Sequence, residues 1–99
     1  MKAKKSAFDV LRQVKENVRN GTYVLSRHAI ARQKERDITL RDVLAVLEHG
    51  RHEQNKDEFS VKNQTWKYAI RGKTVNGLEL RVVVLFEEEM VIVTVIDVD

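Results

Sequence analysis

The stretch Ser26-Arg-His-Ala-Ile-Ala-Arg-Gln-Lys-Glu-Arg-Asp-Ile38, followed directly by Thr39-Leu-Arg-Asp42, decides how the rest of the chain is organised. Ser26 is a favourable N-cap for a helix that runs to about residue 36. Thr39 and Asp42 have the spacing of a capping box, which predicts that a second helix begins there. The chain therefore divides into a part before these two helices, the helices themselves and a part after them.

The part before this stretch has the pattern of one amphipathic helix, because apolar residues recur at helical spacing (Ala7, Phe8, Leu11, Val14, Val18). Asn20-Gly21 predicts its end. Residues 22–25 are β-branched and aromatic, which is typical of a connector or a brief strand. This region, residues 1–21 with the short piece that follows, supplies one helix to the fold.

The part after the stretch predicts first the rest of the second helix and then a sheet. Leu40, Val43, Leu44 and Leu47 repeat at helical spacing, and Gly50 follows as a stop signal. Residues 51–64 form a polar loop whose second half has strand alternation. Asn76-Gly77 predicts a hairpin with a type I′ turn, in which both residues have positive φ.

The strand that follows the hairpin is predicted to lie at the centre of the sheet. It begins with alternating polar and apolar residues and then becomes apolar on both faces, as central strands do. A charged turn at residues 87–89 leads to a last β-branched strand at 90–96.

These elements predict an α+β fold with N-terminal helices packed on one face of a three- to four-stranded antiparallel β-meander. The length of 99 residues predicts a single domain, 1–99. Its parts are an N-terminal helix at 1–21, a helical motif region at 22–50 and an antiparallel sheet at 51–99.

The composition excludes several classes of site and protein. The chain has no cysteine, which excludes disulfides, thiolate metal ligands and cysteine nucleophiles. No apolar run has the length of a membrane span, and the N-terminus lacks the apolar segment of a signal peptide. We therefore expect a cytoplasmic protein that does not bind membranes and that needs neither a cofactor nor a metal ion.

Charge is distributed unevenly along the sequence. Residues 1–41 contain eleven Lys or Arg and four Asp or Glu, a net charge of +7, whereas residues 42–99 contain seven and eleven, a net charge of −4. A basic first half is typical of a surface for an anionic partner such as nucleic acid. Solvated charges that happen to segregate along the chain would produce the same pattern.

The helix after Ser26 carries the candidate catalytic residues His28, Arg32 and Glu35. At about 100° per residue these three side chains share one stripe, with Arg36 on its flank. Cleavage of RNA without a metal requires proton carriers and cations for the phosphate. Histidine exchanges protons near neutral pH, and arginine binds phosphate with two parallel hydrogen bonds. Glu35 would orient His28 or carry a second proton.

Further phosphate or RNA contacts are expected from the other basic residues (Arg27, Arg32, Arg36, Arg71, Lys73). The structural alternative stays open, because Glu35 has the right spacing for an ion pair with Arg32 or Arg36. In that case the arginines would hold the polar helix in place rather than bind an anion. Trp66, Tyr68 and Phe59 are expected to be core residues rather than a stacking platform for bases.

The run Ser26-x-His-Ala-x-x-Arg32-x-x-Glu-Arg-x-Ile-Thr39, together with Gly50 and the later Arg71-Gly-Lys73, resembles a family of small bacterial domains of unknown function. The resemblance covers roughly residues 22–96. That family is in turn similar in size and element order to the BrnT and RelE groups of bacterial toxins, which are small basic ribonucleases paired with antitoxins. The resemblance implies RNA or the ribosome as target, and a cognate antitoxin as partner.

Two hypotheses follow from the sequence. The first is a toxin-like endoribonuclease of the BrnT/RelE type that acts on RNA without a metal. The second is a non-catalytic basic module that binds nucleic acid or a protein partner through the same helices. Oligomeric state cannot be deduced from these patterns.

Overall fold

The computed structural model describes residues 3–98, so residues 1, 2 and 99 of the predicted domain lie outside the described part. Three helices and six strands follow one another along the chain, with one 3₁₀ turn at Gln54–Lys56. They are α1 (Ala7–Asn20), β1 (Tyr23–Leu25), α2 (Arg27–Arg36), α3 (Leu40–His49), β2 (Arg51–His52), β3 (Glu58–Ser60), β4 (Thr65–Lys73), β5 (Glu79–Phe86) and β6 (Met90–Asp97).

The strands form one mixed sheet in the order β1-β6-β5-β4-β2, and β3 pairs with β4 on the same side as β2. β4, β5 and β6 are the predicted antiparallel meander. The α+β class is therefore confirmed, with the helices N-terminal and packed against the sheet. The sheet is wider than the predicted meander, because β1 pairs with β6 in parallel. Three residues carry too little periodicity to reveal a partner strand so distant in the sequence.

Local signals set the ends of the helices as the sequence predicts. The Ser26 side chain accepts a hydrogen bond from Ala29 N at the start of α2. Thr39 and Asp42 form a complete capping box at the start of α3. Gly21 ends α1 with a φ of 69°. Gly50 follows α3 for a different reason, because a Cβ there would lie 2.5 Å from the Val46 carbonyl oxygen of α3 and 2.6 Å from the Arg71 carbonyl oxygen of β4. The close approach of helix and strand, rather than a left-handed conformation, requires glycine at position 50.

The β4–β5 hairpin is confirmed, but the predicted type I′ turn is wrong. Gly77 has a φ of 84°, whereas Asn76 is not among the described residues with positive φ. Gly77 N donates to the Thr74 carbonyl at 3.0 Å. This is the pattern of a type I turn followed by one left-handed residue, the usual connection of three-residue hairpin loops.

The helices bury their apolar residues against one side of the sheet, which we call the inner face. Val10 and Val14 of α1 are fully buried, as are Val43 and Leu47 of α3. Phe8 is 76 % exposed, so its predicted place on the apolar face is wrong. At 100° per residue Phe8 lies about 120° around α1 from Val14, outside the buried stripe.

The opposite side of the sheet, which we call the outer face, is not covered by α1, α2 or α3. Side chains alternate along the central strands, so Leu80, Val82 and Val84 of β5 are buried in the core. Arg81 and Val83, between them, point to the outer face. No helix within residues 3–98 is both long enough and apolar enough to cross a membrane.

Candidate nucleic-acid interface

α2 is polar because it lies along an edge of the sheet. β1 pairs with β6 only as far as Ile92, and α2 follows the free edge of β6 beyond it. Ser26 Oγ donates to the Val93 carbonyl at 2.7 Å, and Arg32 Nε donates to the Val95 carbonyl at 3.4 Å. A helix that protects a strand edge in this way needs polar side chains and little apolar surface. Ala29 is accordingly the buried residue of α2.

The exposed surface of α2 carries three basic side chains, which we call the α2 cations: Arg27, Lys34 and Arg36. Arg27 and Lys34 lie about 160° and 140° around the helix from Ala29, so they point away from the sheet edge. Within residues 3–98 none of the three has an ion pair or a hydrogen-bonding side chain as partner. They are available to an anionic ligand without the loss of any existing contact.

The predicted catalytic residues lie on one flank of the same helix. The Arg32 guanidinium is 3.6 Å from the Glu35 carboxylate, so the structure brings these two together. The Arg32 side chain is 23 % exposed and that of Glu35 is 59 % exposed. His28 is exposed one turn before Arg32, and it has no hydrogen bond within the described residues. The flank thus holds one ion pair and one free imidazole.

Arg71 lies in a different part of the molecule from α2. It is on the outer face of β4, two strands away from the β6 edge that α2 follows. Its guanidinium donates hydrogen bonds to the carboxylates of Glu79 at 2.7 Å and Glu53 at 3.2 Å, and the Arg81 guanidinium donates to Glu53 at 2.6 Å. Lys73, at the end of β4, is exposed. The structure therefore does not bring Arg71 and Lys73 together with His28.

Two pKa values in this outer-face network depart from their ordinary ranges. Hydrogen bonds from Arg81 and then Arg71 hold the pKa of Glu53 below its ordinary value, against the opposing effect of burial. The bond to Glu79, followed by that to Glu53, raises the pKa of Arg71. Arg71 and Arg81 are thus already neutralised by carboxylates. Arg71 and Arg81 are cross-strand partners in the β4–β5 register, which brings both within reach of Glu53. The hairpin between these two strands is the signal for this pairing that the sequence contains.

Sequence reasoning also missed a buried pair, His52 and Asp57. His52 Nε2 is 2.7 Å from Asp57 Oδ2, and the two side chains are 2 % and 0 % exposed. Asp57 also accepts from Ala69 N at 3.0 Å and lies 3.3 Å from Lys4 Nζ. Asp57 lies between β2 and β3, where β4 has no paired strand on that side. Its carboxylate therefore replaces the backbone carbonyl that would otherwise accept from Ala69 N. The pair ties this edge to the N-terminal segment.

No group of three or more His, Asp or Glu side chains within the described residues is placed to hold a metal ion. Among the comparisons with known proteins, a family model described as a domain of unknown function, DUF4258, matches residues 25–97. The matched part contains α2, α3 and strands β2 to β6, whereas α1 and the first two residues of β1 lie before it. No curated protein and no solved structure matches the chain.

Proposed function

The chain belongs to the DUF4258 family, and we propose that it is a toxin-like, metal-independent endoribonuclease of the BrnT/RelE type that binds RNA through α2. The observation that carries the proposal is the set of α2 cations. These side chains are exposed and unpaired, whereas the arginines of the outer face have carboxylate partners. Arg27 and Lys34 lie about 20° apart around the helix axis and so share one surface, whereas Arg36 lies on the other side of the helix end. Free cations on one helix surface, in the half of the chain with a net charge of +7, are typical of a phosphate-binding surface.

The spacing of the α2 cations suits an extended strand of RNA. Arg27 and Lys34 are seven residues apart, which corresponds to about 10.5 Å along the helix axis at 1.5 Å per residue. Their long side chains therefore reach different phosphates of one strand. Phosphate contacts of this kind supply affinity without sequence preference.

The proposed cleavage uses the flank of α2 next to these cations. A base removes the proton of a ribose 2′-hydroxyl, and the oxygen attacks the adjacent phosphorus. The bond from phosphorus to the 5′-oxygen breaks, and that oxygen takes a proton. In this proposal His28 carries one of these protons and Glu35 the other, while Arg32 stabilises the phosphate charge that develops. The products are a 2′,3′-cyclic phosphate and a 5′-hydroxyl end.

A second function, a non-catalytic basic module, is supported by a specific observation. Arg32 is held by the Val95 carbonyl and by Glu35, so two of the three proposed catalytic residues already have partners in the free protein. On this alternative α2 binds RNA or a protein partner but carries out no chemistry. The two functions share the α2 cations and differ in the roles of His28, Arg32 and Glu35.

The compartment and the partners of this activity also belong to the proposal. The resemblance to BrnT and RelE toxins suggests cytoplasmic RNA or the ribosome as target, and a cognate antitoxin that restrains the activity. Co-expression with the product of the neighbouring open reading frame is the direct way to find such an antitoxin.

The experiment that separates the two functions compares His28→Ala with His49→Ala, a matched control at an exposed histidine outside α2. Purified wild-type protein is incubated with end-labelled RNA in the presence of EDTA, and the same variants are expressed in bacteria. We expect cleavage and slowed growth for wild type and His49→Ala. Loss of a general acid or base should reduce the cleavage rate of His28→Ala by about 100-fold or more.

The thermal unfolding of all three proteins is measured in parallel, so that loss of fold is not mistaken for loss of chemistry. RNA binding by wild type without cleavage or a growth defect would reject the ribonuclease and leave the binding module. Equal cleavage by wild type and His28→Ala would reject the assigned role of His28.

A further inference from the structure

The outer face of β5 and β6 is apolar although no helix covers it. Val83, Val91, Val93 and Ile96 are half-buried there, and they adjoin Val24 of β1, which is 43 % exposed. Antiparallel sheets with one solvated face normally place polar residues on it. The central strands thus have the sequence of strands covered on both faces, but α1 and α3 cover only the inner one.

The two ends of this outer face carry opposite charge. The end nearest the β4–β5 hairpin has four basic residues and two carboxylates (Arg51, Arg71, Lys73 and Arg81 with Glu53 and Glu79). The opposite end has the three consecutive acidic residues of the β5–β6 turn, which border a surface depression next to Val24 and Val91. The ends therefore carry +2 and −3, about 20 Å apart along β5 at 3.3 Å per residue.

We propose that the outer face packs against the outer face of a second copy of this chain. A two-fold axis in the plane of contact, perpendicular to the line between the charged ends, places the acidic turn of each copy on the basic end of the other. Such an interface is self-complementary, as in most homodimers. The groove of about 250 Å³ between Lys67, Arg81 and Val93 lies at its centre.

The size of the face indicates how strong this association is. Three strands more than 20 Å long and the short strands at the two edges, all about 4.8 Å apart, give a flat area of about 400 Å² per copy. That is smaller than the roughly 600–1,000 Å² per partner that stable interfaces bury, and it is in the range of weak, transient ones. We therefore expect a dimer that dissociates on dilution and, because its ends are held by charge, on addition of salt.

Analytical ultracentrifugation of the full chain over a wide range of concentration tests the dimer. Thr94 lies at the centre of the face and is half-buried. Thr94→Arg places two like charges opposite each other across the axis, so we expect a monomer at every concentration. The control is Val61→Arg, at a position that is 75 % exposed in the loop before β4. It should associate as wild type does.

A charge exchange tests the orientation of the two copies with substitutions at exposed positions, which keeps the test valid if Thr94→Arg fails to fold. Lys73→Glu and Glu88→Lys should each weaken the dimer by about tenfold, whereas the protein with both changes should regain much of the affinity. Wild type that remains monomeric at all concentrations would overturn the proposal. So would a dimer that neither Thr94→Arg nor the single charge changes affect. None of these substitutions alters the α2 cations, so either result leaves the RNA proposal intact.

Discussion

Two groups of basic side chains in this protein differ in what surrounds them. The α2 cations are exposed on a helix that protects a strand edge, and no carboxylate among residues 3–98 neutralises them. Arg71 and Arg81 lie side by side on the outer face of the sheet, where Glu53 bridges them and Glu79 pairs with Arg71. The residue types are the same, but one group is free to bind an anion and the other is part of the sheet.

The comparison shows why a count of arginines is a poor guide to an anion site. An arginine that already has two carboxylate contacts must lose them before it binds phosphate, and the freed carboxylates would then repel the ligand. An unpaired arginine on a helix surface loses only its bound water when it binds phosphate. The following predictions test whether the two groups are as different as their surroundings indicate.

The largest effect is expected in the outer-face group. Glu53→Gln removes the negative charge that bridges Arg71 and Arg81, and we expect the free energy of unfolding to fall by about 1–2 kcal/mol at pH 7, allowing for solvent screening at this half-open site. The matched control is Glu58→Gln, because Glu58 is exposed and forms a surface ion pair with Lys67. It should change stability by less than about 0.5 kcal/mol.

The same variant makes a prediction about pH. The folded-state pKa of Glu53 is lowered from its ordinary value of 4.5, so its contribution to stability is complete above that pH and is lost as pH falls towards the lowered pKa. The difference in melting temperature between wild type and Glu53→Gln should therefore be largest near neutrality and shrink below pH 4.5. A difference that stays constant from pH 7 to pH 3 would contradict the assigned ion pairs.

A smaller effect on stability is expected at Arg32, which shares one feature with each of the two groups. It is on α2, but it contacts the Val95 carbonyl and Glu35. Arg32→Ala should lower the free energy of unfolding by about 0.5–1 kcal/mol, whereas Arg36→Ala, an exposed arginine on the same helix, should change it by less than about 0.5 kcal/mol. Urea titrations of both variants measure the difference. Equal midpoints for the two would show that Arg32 has no structural role.

The sequence predicted those parts of the fold that local chemistry determines. Ser26, Thr39 and Gly21 mark helix ends through bonds and backbone angles formed within a few residues, so their roles were clear from the sequence. The hairpin at residues 76 and 77 is predicted correctly, but the predicted turn type is wrong. Asn and Gly together are also compatible with a three-residue loop in which only glycine is left-handed.

Other features depend on contacts between distant parts of the chain. β1 is three residues long, and its parallel pairing with β6 is determined by the course of the chain rather than by its own residues. Arg71 was grouped with α2 because both are basic, and only the position of Glu53 beside β4 shows that Arg71 is neutralised. His52 and Asp57 form a buried pair that no spacing rule identifies.

The measurement that tests the central proposal most directly is the salt dependence of RNA affinity. Dissociation constants for a single-stranded RNA are measured at several salt concentrations for wild type, for Arg27→Ala/Lys34→Ala and for a matched control, Arg51→Ala/Lys62→Ala, with two exposed cations outside α2. None of these changes should alter stability by more than about 0.5 kcal/mol. If each α2 cation neutralises one phosphate, the slope of log K against log salt becomes shallower by about 1.4 in the α2 variant and stays unchanged in the control. Equal slopes for the two double variants, or no binding by wild type at low salt, would contradict the assignment of α2 as the RNA-binding surface.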